Sequence, residues 1–168
     1  QVPESTRLAV ARNSFFFVRD SIVFGFDLFQ QKASETLRLG YGVCWNKALL
    51  LTALLRANGI PARFCSIPIP RTFIRPAIGA WHRLANDPYH HCLVLADIDD
   101  RPVLLDAVLD RRTFDAFFRP IGVDWGIDWN GKDDMRLYSE SVAGEIHVHD
   151  DIDATLDRLR QVVRDQEH

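Results

Sequence analysis

The sequence contains little cysteine, no long apolar run and no excess of either charge. Its 168 residues include three cysteines, Cys44, Cys65 and Cys92, which are too few and too irregularly spaced for a disulfide scaffold. The odd number leaves at least one thiol unpaired within a monomer, so a reducing, cytoplasmic location is expected. No apolar run approaches the roughly 18 residues that a membrane-spanning helix needs. No membrane association is therefore expected.

The charges are nearly balanced. The chain has 20 basic and 23 acidic residues, for a formal net charge of −3, so electrostatics give no reason to expect nucleic acid as a partner. Hydrophobic residues make up 47% of the chain and charged residues 26%, as in soluble globular proteins. Because no repeat or linker interrupts the sequence, residues 1–168 are expected to form a single domain. The composition gives no indication of the oligomeric state.

One segment, from Gly40 to Arg63, places a cysteine where a glycine-containing loop meets a strongly apolar helix. The helix is predicted from Cys44 to Asn58, and Gly59 followed by Pro61 ends it. A thiol at the start of a helix lies in the positive field of the backbone amides, which favours the thiolate. The sequence therefore predicts that Cys44 is a nucleophile rather than a packed side chain.

The remaining pattern indicates an α+β protein, in which helices come before and after a group of strands. Three further helices are predicted, at Ser5–Val23, at Ser34–Leu39 with Ser34 as N-cap and Gly40 as its stop, and at Asp153–Arg164. Strands are predicted at Arg63–Ile67, His91–Ile98 and Val103–Val108. Three prolines, Pro68, Pro70 and Pro76, predict an irregular excursion after the first strand, and residues 111–150 are expected to be loops with a short β element.

A cysteine nucleophile needs an imidazole and a group that orients it, and His91 and Asp106 are the candidates. They lie on the same face of the two strands if the loop between those strands has an even number of residues. A two-residue loop at Ile98-Asp99, or a four-residue loop over 97–100, would pair them directly with Cβ atoms about 5 Å apart. A three-residue loop would place them on opposite faces, so the pattern leaves the pair open.

Several motifs in this order resemble the transglutaminase-like superfamily. They are Gly42-Val43-Cys44-Trp45, the helix end and turn from Leu55 to Arg63, His91, and Asp106-Ala107, preceded by the run from Val18 to Phe26. The resemblance covers roughly residues 8–110. It implies a papain-like core in which the nucleophile helix packs on an antiparallel β-sheet. It also implies that Cys44 is the nucleophile, His91 the general base and acid, and Asp106 the orienting residue.

The chain departs from the family pattern at three positions. Leu93 and Leu95 stand where an aromatic and an acidic residue often follow the histidine, and Pro102 stands where a tryptophan often precedes the aspartate. The sequence also identifies no second oxyanion donor beside the backbone amide of Cys44.

The expected activity is that of a cofactor-independent thiol enzyme acting on a peptide, a protein or a small amide. Attack by Cys44 would form a thioester. Hydrolysis of this thioester is expected in preference to transfer of the acyl group to an amine. Two alternatives stay open. One is a catalytically silent module that binds peptides or acts as a scaffold. The other is acyl transfer from a thioester donor, in the manner of the arylamine acetyltransferases.

Other residues suit supporting roles. Five aromatic residues are candidates for the wall of an acyl-binding cleft, above all Trp45, Trp81 and Tyr89, with Trp125 and Trp129. Cys65 and Cys92 lie in apolar strands and are expected to be packing residues. His147 and His149 share a strand face beside Asp150, but no third ligand has a characteristic spacing, so no metal is expected.

Overall fold

Four antiparallel strands and one buried helix form the centre of the structure. The computed structural model describes residues 4–25, 31–123, 128–135, 144–150 and 152. In chain order, the helices and strands are α1 (Glu4–Ser21), β1 (Val23–Phe24), α2 (Ala33–Leu39), β2 (Tyr41–Gly42), α3 (Cys44–Ala57), β3 (Ala62–Ile69), α4 (Arg75–Ile78), β4 (Tyr89–Ile98), β5 (Arg101–Leu105), α5 (Arg111–Thr113) and β6 (His147–His149). Short helical turns cover Arg71–Ile74, Gly79–Leu84, Phe114–Phe118 and Arg119–Ile121.

The main sheet has the order β5-β4-β3-β6, and each neighbouring pair is antiparallel. Helix α3 packs against β3 and β4, and α1 and α2 pack against α3. Strands β1 and β2 form a separate parallel pair just before α3. The expected α+β class, with the nucleophile helix on an antiparallel sheet, is confirmed.

Helix α3 begins and ends almost where the sequence predicts. At its start, the backbone N–H of Val43 donates to Asn46 Oδ1 at 3.0 Å, which satisfies a donor that the helix leaves unpaired. At its end, Gly59 takes a positive φ of 73° and the N–H of Ile60 donates to Leu55 O at 3.0 Å. Glycine adopts this conformation without strain. Hydrogen bonds at both ends thus define the limits of α3, and they place Cys44 at its first position.

The hairpin between β4 and β5 determines the register that the sequence left open. Its two-residue loop is Asp99-Asp100, with φ values of 52° and 61°, and it pairs Ile98 with Arg101. Two positive φ angles are typical of the tight turns that match strand twist, and aspartate tolerates them. Continued along the strands, this register places His91 and Asp106 on the same face but two residues apart. The hairpin is therefore not one of those that would pair the two residues directly, and β5 ends at Leu105, before the aspartate.

The strand before the prolines is longer than predicted, because β3 extends to Ile69. Pro68 lies inside β3, paired with His90, at a position that β6 does not reach because β6 pairs only with residues 64–66. A proline is tolerated where one side of a strand has no neighbour. The excursion begins after Ile69 and consists of helical turns, with Pro76 in the first turn of α4.

Smaller corrections concern helix starts and the region after β5. The N-cap of α2 is Lys32 rather than Ser34, and its N–H donates to Glu35 Oε2 at 3.0 Å. Helical turns, not only loops, follow Asp110. The short β element is β6, and the helix predicted at Asp153–Arg164 lies outside the described residues. Within those residues, no helix has the length and apolarity that a membrane span requires.

Candidate active site

Cys44 occupies the first position of α3 and is only 4% exposed. The first hydrogen bond of this helix runs from the Lys47 N–H to Val43 O at 3.1 Å. The N–H groups of the first turn therefore point out of the helix beside the thiol. Such amides favour negative charge on the sulfur and on an oxygen bound next to it.

His91 and Asp106 are in contact, although strand register places them two residues apart. Nε2 of His91 lies 2.6 Å from Asp106 Oδ2, and the two side chains are 3% and 1% exposed. A carboxylate only accepts, so Nε2 carries the proton. The other carboxylate oxygen accepts from the Val108 N–H at 3.3 Å. These contacts fix both the ring orientation and the tautomer of His91.

The charges of the site support a thiolate and an imidazolium. A hydrogen bond with Cys92 lowers the pKa of Cys44 well below its usual value; burial opposes this, and His91 and Tyr89 add to it. Burial alone would lower the pKa of His91, but the Asp106 carboxylate and Cys44 raise it to about 10. Opposite charges stabilise each other in a buried site. Both pKa values are therefore shifted in the directions that favour a thiolate at Cys44 and an imidazolium at His91.

A small pocket contains both groups. Its lining residues come from β1, the start of α3, the excursion after β3, the start of β4 and the segment after β5. They are Phe24, Cys44, Ile74, Ala77, Tyr89, His91, Val108 and Leu109. Its volume is about 20 Å³, slightly more than the roughly 10–15 Å³ that one water molecule requires. Ile74 and Ala77 bring the excursion over the site. The arrangement holds a thiol and an imidazole in one mostly apolar space.

The three aromatic candidates occupy different places. Tyr89 lines the pocket, and its Oη lies 3.2 Å from Cys44 Sγ. Trp45 is buried against Phe64, with ring centroids 4.6 Å apart, and Trp81 is 67% exposed. Neither tryptophan is among the residues that line the pocket. Their part in substrate binding stays a prediction.

The other two tryptophans do not add to the pocket. Trp129 packs on Phe15, with ring centroids 5.6 Å apart, and its Nε1 donates to Asp133 O at 2.9 Å. Trp125 lies outside the described residues.

The sequence did not connect two residues, Cys92 and Lys47, with the site. Cys92 is buried, as expected of a packing residue, but the neighbouring Cys44 raises the pKa of Cys92 well above its usual value. Strand alternation places Cys92 and His91 on opposite faces, so no pattern predicts that both influence one sulfur. Lys47 lies one turn after Cys44, and no sequence pattern predicts that a lysine in this apolar helix is buried.

Lys47 is fully buried beneath the site. Its Nζ donates to Arg19 O at 3.1 Å and to Ile22 O at 2.6 Å. It thereby ties the end of α1 to the first turn of α3. Burial lowers the pKa of Lys47 to about 7, although the carboxylates of Asp110, Asp20 and Asp106 oppose this.

The histidines of β6 take part in other contacts. His149 Nε2 lies 2.9 Å from Ser66 Oγ, and its ring packs against Phe64, with centroids 5.5 Å apart. Within the part of the chain that the structure describes, no three metal-ligating side chains gather into a group that could hold an ion.

Two solved structures resemble parts of the chain. One is described as a "Putative Cysteine Protease" from Cytophaga hutchinsonii, with 26% identity and a TM-score of 0.42 over 61% of this chain and 30% of that one. The other is described as a "putative protease" from Parabacteroides distasonis, with 18% identity and a TM-score of 0.43 over 65% of this chain and 21% of that one. The chain thus corresponds to less than a third of either protein's length.

The family assignment comes from the sequence model of the transglutaminase-like superfamily core, which matches residues 1–96. No curated protein matches the chain. The matched region includes α1, helix α3 with Cys44 at its start, and His91, and it covers more than half of the sequence. The chain therefore belongs to the transglutaminase-like superfamily.

Proposed function

We propose that the protein is a thiol-dependent acyl-transfer enzyme that hydrolyses an amide or peptide bond through a thioester. The observation that carries this proposal is the shared pocket of Cys44 and His91, with His91 held by Asp106 at 2.6 Å. Membership of the superfamily supports a thiol enzyme at the coarse level. The lowered pKa of Cys44 supports the nucleophile.

In the first half of the reaction, the Cys44 thiolate attacks the carbonyl carbon of the substrate. The Sγ–C bond forms as the carbonyl π electrons move to the oxygen, and the Cys44 N–H stabilises that oxyanion. Because Nε2 of His91 is engaged by Asp106, Nδ1 is the nitrogen that gives its proton to the leaving amine. The C–N bond breaks and a thioester remains on Cys44.

In the second half, a water molecule attacks the thioester. His91, now neutral at Nδ1, accepts a proton from this water as the new C–O bond forms. Collapse of the second oxyanion breaks the Sγ–C bond and releases a carboxylic acid. The thiolate and imidazolium are then restored. We propose water as the acceptor.

Peptides, proteins and small amides are the proposed substrates, and residues 1–168 are proposed to act as one domain. The proposal requires no cofactor. Transfer to an amine uses the same thioester and differs only in the acceptor, so competition with an added primary amine would reveal it.

The test uses p-nitrophenyl acetate, an activated ester that acylates thiolates without needing a protonated leaving group. We expect rapid release of p-nitrophenol and an acetyl thioester on the wild-type protein, and neither with Cys44→Ala. Cys65→Ala is the matched control, because Cys65 is also buried and lies in β3, outside the pocket. Full release by Cys44→Ala would overturn the proposal and favour the scaffold module.

A further inference from the structure

Tyr89 is the side chain whose hydroxyl lies within hydrogen-bond distance of the proposed nucleophile. Its Oη is 3.2 Å from Cys44 Sγ. Tyr89 begins β4 two residues before His91, so strand alternation directs both side chains to the same face. Both line the pocket. The tyrosine hydroxyl therefore lies beside the sulfur, and Tyr89 lines the same pocket as His91.

The proposed chemistry lacks one donor. An oxyanion is usually held by two donors, and removing one of them slows acyl transfer by about a hundred- to a thousandfold in well-studied hydrolases. The Cys44 N–H supplies one donor here. A phenol is a suitable second donor because its O–H is polar and remains protonated at neutral pH.

The backbone around Tyr89 holds the hydroxyl in place. Tyr89 pairs with Ile69 at the end of β3, and Ile69 is fully buried. The hydroxyl is thus attached to the same rigid sheet that carries His91. Donors fixed before the reaction need little reorganisation when charge develops.

We propose that Tyr89 is a catalytic residue that supplies the second oxyanion donor. In the free enzyme, its hydroxyl donates to the Cys44 thiolate. As the Sγ–C bond forms, the negative charge moves from sulfur to the carbonyl oxygen, and the hydrogen bond moves with it. No proton is transferred, and the bond returns to sulfur when the intermediate collapses. This inference rests on the proposed acyl-transfer function.

The Tyr89 hydroxyl needs to move only a short distance to transfer its hydrogen bond from Cys44 Sγ to the oxyanion. In the tetrahedral intermediate, the oxyanion is attached to the carbon that the sulfur has just bonded. A donor already at hydrogen-bond distance from Sγ needs only a small movement to reach that oxygen. The same hydroxyl contributes to the lowered pKa of Cys44, so one group serves the thiolate before attack and the oxyanion after it.

The test compares two reactions of Cys44 in Tyr89→Phe. Alkylation by iodoacetamide displaces iodide and forms no oxyanion, whereas acylation by p-nitrophenyl acetate passes through one. Rates are measured across pH and compared on the plateau where the thiol is fully ionised. We expect acylation to slow by on the order of ten- to a hundredfold, while plateau alkylation changes by less than about threefold. Tyr41→Phe, an exposed tyrosine on β2, is the control.

Two results would overturn the inference. Equal slowing of both reactions would show that Tyr89 acts only through the thiolate or through folding, and unchanged acylation would show that its hydroxyl is not used. Unchanged plateau alkylation also reports that the variant is folded around Cys44. Failure of the proposed function is different, since the wild-type protein itself would then not be acylated at Cys44.

Discussion

At the scale of single residues, the three cysteines differ in what surrounds each sulfur. Burial raises the pKa of Cys65 to about 11, and its contact with Cys44 raises the pKa of Cys92. Of the three, only Cys44 combines a helix start, a hydrogen-bonding neighbour and an adjacent imidazole. The sequence predicts the first of these because glycines precede an apolar helix. It does not predict the others, because they depend on where β4 enters relative to α3.

The Asp106 carboxylate is expected to act by fixing the tautomer of His91. In Asp106→Asn, the amide can donate to Nε2, which leaves the proton of a neutral imidazole on the nitrogen that should accept one. We expect hydrolysis of the acetyl thioester on Cys44, the step in which His91 accepts a proton, to slow by about a hundred- to ten-thousandfold, as in other triads. The measurement is the steady-state rate of p-nitrophenol release that follows the initial burst, taken across pH.

Asp134→Asn is the control for this prediction. Asp134 is exposed and does not line the pocket, and its Oδ1 accepts from the Leu104 N–H at 2.9 Å. Asparagine retains this acceptor oxygen, so the rate of thioester hydrolysis should stay near that of the wild type. Equal slowing in the two variants would contradict an orienting role that is specific to Asp106.

At the scale of elements, α3 was predictable and the hairpin register was not. The run of leucines and the Gly59-Ile60-Pro61 stop determine α3 locally. In the hairpin, alternation is satisfied equally by several loops of even length, and the choice depends on the αL conformations of Asp99 and Asp100. The excursion after β3 was predicted as irregular because of its prolines, but Pro76 fits the first turn of a helix.

Gly42 is expected to set the position of the nucleophile. A Cβ on Gly42 would lie 2.6 Å from Asn46 Cβ, close to the backbone of the first turn of α3, where little can move. We expect Gly42→Ala to destabilise the protein by about 1–3 kcal/mol and to slow acylation of Cys44. Urea denaturation and p-nitrophenol release are the measurements.

Gly25→Ala serves as the comparison for Gly42→Ala. Gly25 lies just after β1, and the nearest atom to its added Cβ would be Tyr41 Cδ2 at 3.6 Å, an ordinary contact. This variant should retain both stability and acylation. Similar losses in the two variants would show that the strand pair as a whole, and not the close approach to Asn46, controls the site.

At the scale of the whole molecule, the fold carries a buried cation that joins α1 to α3. Lys47 has an unfolded pKa of about 10.4 and a folded pKa lowered to about 7, mainly by burial. Between these values the unfolded chain binds more protons, so this residue makes stability rise as pH increases. Below about pH 7 both states are protonated and the penalty is constant.

Lys47→Met isolates this contribution. The free energy of unfolding of the wild type, relative to that of the variant, should increase from about pH 7 towards pH 10. Other titrating groups, including His91, are present in both proteins and largely cancel. Urea midpoints at several pH values provide the measurement. A difference that does not change with pH, or that falls as pH rises, would contradict a buried and depressed Lys47.

The central claim is that Cys44 carries the acyl group, and peptide mapping of the acylated protein tests it most directly. After brief exposure of the wild-type protein to p-nitrophenyl acetate and quenching in acid, the acetyl group should be found as a thioester on the peptide that contains Cys44. It should disappear as water completes the reaction. An acetyl group found only on other side chains, or none at all on a folded protein, would contradict the account.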